Sequence, residues 1–62
     1  MINEQNRKKI TEKIAYHLSE ERKQKGVYGT SEHDYIMAEM ELMKYEFFIK
    51  EYRYITEIIK GV

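Results

Sequence analysis

The residues best suited to chemistry gather in one place, the stretch 25–34, which reads "KGVYGTSEHD". Glu32, His33 and Asp34 set an imidazole between two carboxylates, the groups a metal ion or an acid-base pair would use. Their spacing works against both uses, because adjacent residues of a helix point about 100° apart. The only other imidazole, His17, belongs to neither an H-E-x-x-H nor a Glu-x-x-His pair, the spacings that bring two ligands onto one helix face. There is no cysteine, which removes thiolate ligands and cysteine nucleophiles. Ser19, Ser31, Thr11, Thr30 and Thr56 have no base in register, and a short helical chain has little concavity in which base and orienting group could converge. The expectation is a protein that is not an enzyme, with no catalytic residue, no metal site and no cofactor.

The same stretch contains "GVYG", the G-x-x-G pattern that clamps a nucleic-acid backbone between two helices in KH domains. Those domains need a sheet to seat the helices, and no stretch here reads as a strand. The plainer reading is a corner. Gly26 ends one helix as a C-cap, Ser31 followed by Asp34 opens the next as a variant capping box, and Glu32 and Asp34 lie in its positive first turn. Val27 and Tyr28 form the tip of the corner and stand as a separate candidate contact.

The elements on either side of the corner are helical. Prolines are absent, and the charged and long-chain residues of the first half tolerate a helix well. Helix 1 is expected over about 3–25, the turn over 26–30 and helix 2 over about 31–60, in one domain covering 1–62. In helix 1 only Ile10, Ile14 and Leu18, widened by Ala15 and Tyr16, form an apolar stripe; the following "SEERKQK" has nothing to bury beyond a Glu21–Lys25 pair at i, i+4. Helix 2 is far richer. Tyr35, Ala38, Leu42, Tyr45, Ile49, Tyr52, Thr56 and Ile59 keep the three-four alternation of a coiled-coil seam. A second stripe runs beside it through Ile36, Met40, Met43, Phe47 and Tyr54. One straight helix over these residues would be about 45 Å long.

This imbalance predicts an all-α fold of a particular kind: a two-helix antiparallel hairpin, short helix then long helix, completed as a homodimeric four-helix bundle. A 62-residue chain buries only about 60% of the surface its unfolded form exposes, and its core supplies about 3–5 kcal/mol, so without disulfides it calls for a partner. Helix 1 runs out before helix 2 does, leaving an apolar overhang that only Met1 and Ile2 could cover from within the chain. The expected interface therefore comprises Tyr45, Phe48, Ile49 and Tyr52 along the helix, with Ile55, Ile58 and Ile59 at its end. A second copy, or an unidentified protein partner, would lie there.

Eleven basic residues balance eleven acidic ones. This balance argues against whole-molecule attraction to nucleic acid or to an anionic membrane and leaves local patches open. Arg7, Lys8, Lys9 and Lys13 make the one basic cluster. In length and expected architecture the chain resembles the plasmid copy-number regulators whose hairpin dimers bind paired RNA loops through their first helices. The resemblance implies an alternative function, an RNA-binding bundle using those four residues, but no residue motif accompanies it. A plainer use for them is to face the acids of helix 2 around Glu46 and Glu51 and set the register of the hairpin. The chain is also similar in architecture to the helical-hairpin aspartyl-phosphate phosphatases, but their Ser-x-x-x-Asp signature is missing, so no activity carries over. Absence of an apolar signal-peptide core and of a spanning segment leads to a cytoplasmic protein without membrane contact. The expected function is regulatory, as an inhibitor or adaptor, phage or bacterial, acting by stoichiometric protein binding.

Overall fold

A computed structural model describes residues 4–62; the expected cover from Met1 and Ile2 lies outside the described residues. The chain is all-α, with α1 over Glu4–Gln24, α2 over Ser31–Phe47, a 3-10 turn over Ile49–Tyr52 and α3 over Arg53–Lys60. Among the described residues there are thus three helices where two were expected.

The corner between α1 and α2 is built by capping. Gly26, at φ +70°, takes the left-handed conformation that costs a glycine least. Its N–H bonds the Lys23 carbonyl at 3.2 Å and the Val27 N–H bonds the Arg22 carbonyl at 2.9 Å, the paired bonds of a Schellman ending. At the start of α2 the cap is Thr30, whose side chain accepts from the His33 N–H at 3.1 Å. The expected capping box is therefore shifted by one residue: Ser31 is already helical, and Asp34 has other work. Arg22 approaches Asp34 beside the corner and Arg7 approaches Glu46 at 2.6 Å at the far end, so α1 and α2 run side by side in opposite directions.

The largest departure from expectation is the break at Phe48. Its backbone, φ −130° and ψ 61°, leaves the helix, and no glycine or proline is there to cause it. The cause is burial at a distance. A straight helix would carry Ile55 beyond the start of α1; with the break, α3 folds back onto α1 and Ile55 is completely buried with Ile10, Ile14, Ala38 and Leu42. Burying an isoleucine contributes about 1.5–3 kcal/mol, whereas an interrupted helical hydrogen bond costs about 1 kcal/mol and is partly recovered by Glu51 N–H to Phe48 carbonyl at 3.1 Å. The aromatic and β-branched run Phe47-Phe48-Ile49 also resists a break least, being weak in helix propensity. The molecule's longest extent, 34 Å, is well short of the ~45 Å of the straight helix.

Polar contacts fasten the returned helix. The hydroxyls of Tyr45 and Thr56 lie 3.0 Å apart, joining α2 to α3 across the break. His17 stacks on Tyr54 with ring centroids 4.6 Å apart, and its Nε2 meets Glu21 Oε1 at 2.7 Å, joining α3 to α1. The apolar overhang is thereby covered by the chain itself.

Candidate interaction surface

Two faces of α2 take opposite roles. Placed at about 100° per residue, Asp34, Ala38, Leu42 and Tyr45 cluster on one side and Ile36, Met40, Met43 and Phe47 occupy an arc of about 60° on the other. The first side is the core: Asp34, Ala38 and Leu42 are buried, and Tyr45 packs against them. The second side is open. Ile36 is 56% exposed, Met40 44%, Met43 57% and Phe47 81%. These four side chains run for about 16 Å along the helix, and Phe48 and Ile49 in the break are exposed as well. Contiguous apolar exposure of this kind marks interaction sites, in contrast to single exposed apolar residues. Methionine, which repacks readily, and phenylalanine suit such a surface.

Charged residues border the strip unequally. Glu32, Glu39 and Glu46 recur at seven-residue intervals along one edge, whereas His33 and Lys44 lie along the other. Glu46 is paired with Arg7. Glu41 sits on the inner side, where burial pushes its carboxyl above the ordinary range against the opposing pull of Lys44.

The residues expected to form the interface are divided by this fold. Phe48 and Ile49 are exposed. Ile55 is core, not interface, and Tyr45, Tyr52, Ile58 and Ile59 are half-buried against that core. This burial, full for Ile55 and partial for the others, is a direct consequence of the break, which turns the supposed overhang inward. Ile36, Met40, Met43 and Phe47 carry the strip instead. Their alternation is plain in the sequence; that they face outward follows only once α1 and α3 have both taken the opposite side.

The corner is a clasp rather than an open loop. Arg22 reaches beneath it to make two bonds with Asp34, Nη2 to Oδ2 at 2.7 Å and Nε to Oδ1 at 3.2 Å, and its Nη1 donates to the Val27 carbonyl at 3.4 Å. The hydrogen bond from Arg22 holds the Asp34 carboxyl below the ordinary range, and the same bond raises the guanidinium. Gly29 leaves the room this needs, since a Cβ there would lie 2.8 Å from Arg22 Cδ. Asp34 is thus withdrawn from Glu32 and His33, which face solvent, and among the described residues no three potential ligands converge on a metal position. Val27 and Tyr28 project from the clasp, 54% and 92% exposed.

Of the basic cluster, Arg7 is engaged by Glu46, as the register-setting use anticipates, and Lys8, Lys9 and Lys13 are exposed. The grooves along α1, such as that lined by Tyr16, His17 and Ile58, are open to solvent. No described helix is long and apolar enough to cross a membrane. Comparison with protein-family models, with curated proteins and with solved structures finds no match to the chain.

Proposed function

We propose that this chain is a non-catalytic interaction protein that works by stoichiometric binding through the outer face of α2. The observation that carries the reading is the exposed strip Ile36, Met40, Met43 and Phe47 on a helix whose other side is already fully used by the core. A straight apolar strip bordered by charge is the complement of another helix, read at i, i+4, i+7 and i+11. Such docking would turn the helices of one chain into part of a larger bundle, the arrangement first expected at the end of the molecule and now proposed on its outer side. The expected regulatory role, as inhibitor or adaptor in the cytoplasm, is consistent with a small chain whose surfaces bind and do not enclose. RNA binding has less support, because Arg7 is committed to Glu46 and three lysines remain.

A photoreactive benzoyl-phenylalanine in place of Phe47 tests the reading. Irradiation in the cells that make the protein should give a discrete adduct, absent when the same group replaces exposed Lys23 and lost when Met40 and Met43 are changed to serine. Equal or no adducts at the two positions would show that the strip is not a docking face.

A further inference from the structure

Building on the outer face of α2 as a docking surface, we infer that its occupant is a second copy of the same chain, paired in parallel and in register. The charge borders of the strip decide this. With Ile36 and Met43 as d positions and Met40 and Phe47 as a positions, Glu32, Glu39 and Glu46 fall at g, and Met37 and Lys44 at e. In a parallel pair each g residue faces the e residue five positions on in the other chain, so Glu39 meets Lys44 of the second copy, and the twofold axis makes this contact twice. Glu32 meets Met37. Glu46 has no such partner within α2, since position 51 lies past the break in the 3-10 turn, so along α2 no like charges are opposed.

An antiparallel pair places g against g. Keeping the apolar residues together then requires Ile36 against Phe47 and Met40 against Met43, which sets Glu39 against Glu46 of the second copy, where Arg7 is already engaged. The acidic border would be crowded at two places and Lys44 left against Met37. Among the described residues α1 and α3 lie on the opposite side of α2 and leave the approach open. The two corners then stand at one end of the assembly, presenting a pair of Tyr28 tips.

Disulfide trapping reads the orientation directly, since the chain has no cysteine of its own. In the parallel register the two copies of residue 36 adjoin; in the antiparallel one they are about 16 Å apart, far beyond the 4.4–6.8 Å that a disulfide spans. Ile36→Cys should therefore oxidise to a covalent dimer. Charge exchange reads the borders. Glu39→Lys and Lys44→Glu should each weaken dimerisation roughly tenfold, and the chain carrying both should recover it, with helicity by circular dichroism unchanged throughout.

A helical wild-type chain that remains monomeric at millimolar concentration would overturn the inference; so would a dimer in which I36C does not oxidise, or in which the double exchange fails to restore what the single changes lose. These outcomes are distinct from failure of the docking face itself. A monomer whose position 47 still forms an adduct with another protein keeps the face and loses the second copy, whereas no adduct at all loses both.

Discussion

Ile55 and Phe47 reverse the ordering that hydrophobicity alone would give, and shortening each to alanine measures the fold. Ile55 is wholly buried, and its change to alanine removes three carbons, about 2.4 kcal/mol at ~0.8 kcal/mol each, before any cost of the cavity left behind. Phe47 is 81% exposed, and its larger side chain leaves little contact to lose; the better helix propensity of alanine, by about 0.5 kcal/mol, offsets that little. A core of this size supplies roughly 3–5 kcal/mol, so Ile55→Ala removes most of the stability of an isolated chain, and Phe47→Ala should change it by less than about 0.5 kcal/mol. Urea titration followed by circular dichroism reads both. With a slope near 1 kcal/mol per molar, the Ile55→Ala midpoint should fall by about 2–3 M and should do so equally at all protein concentrations. The Phe47→Ala midpoint should match wild type when dilute, and fall below it only where association adds to stability. A mild Ile55→Ala, or one whose cost depends on concentration, would restore the straight second helix with its end in an interface, and the reasoning from the break would be wrong.

Four further changes probe the corner and the acids Asp34 and Glu41. Gly26→Ala forces a side chain into the left-handed region at φ +70° and should cost about 1–2 kcal/mol by thermal or urea unfolding, although no atom lies near the added methyl. Gly29→Ala should act by displacing Arg22 from Asp34, so that it destabilises wild type but adds little to a chain already carrying Arg22→Gln, a non-additivity that a double-mutant cycle detects. Because the Asp34 carboxyl is held below its ordinary range, its contribution is present above the unfolded value near 4 and is lost as pH falls through the folded value; stability measured from pH 6 to pH 2 should fall less in Arg22→Gln than in wild type. Glu41 has the opposite sign, since burial raises it and its ionised form is the costly one, so Glu41→Gln should stabilise the fold at neutral pH, where the carboxylate is charged, and lose that advantage in acid.

What the sequence disclosed and what it hid divide along the range of the interactions. Local rules carry the ends of α1 and α2: Gly26 is the helix terminator its position suggests, and the Glu21–Lys25 pair forms at 3.7 Å. The Thr30 cap differs from the Ser31 cap by one residue, a choice between adjacent hydroxyls that only backbone geometry makes. The Arg22–Asp34 clasp joins a segment that reads as having nothing to bury to an acid that reads as a helix-dipole partner, and neither residue signals the other across the corner. The break at Phe48 has only a faint local mark, the low helix propensity of Phe47-Phe48-Ile49, and no glycine or proline. It is decided by where Ile55 can be buried, a contact with α1 that exists only after the chain has turned. That single bend then decides the surface, since it hides Ile55 and leaves Ile36, Met40, Met43 and Phe47 in the open. Both apolar stripes of α2 are visible in the alternation; which one is core depends on the partners that reach it.

Absolute mass by light scattering after size exclusion, over a wide range of concentration, tests the pairing of two copies through the outer face most directly when wild type is compared with Met43→Glu. Position 43 is 57% exposed, so the substitution leaves the core untouched and the circular dichroism spectrum should be the same. Twice the chain mass for wild type and a monomer for Met43→Glu is the predicted result. A monomeric wild type, or a dimer that Met43→Glu does not dissociate, would contradict it.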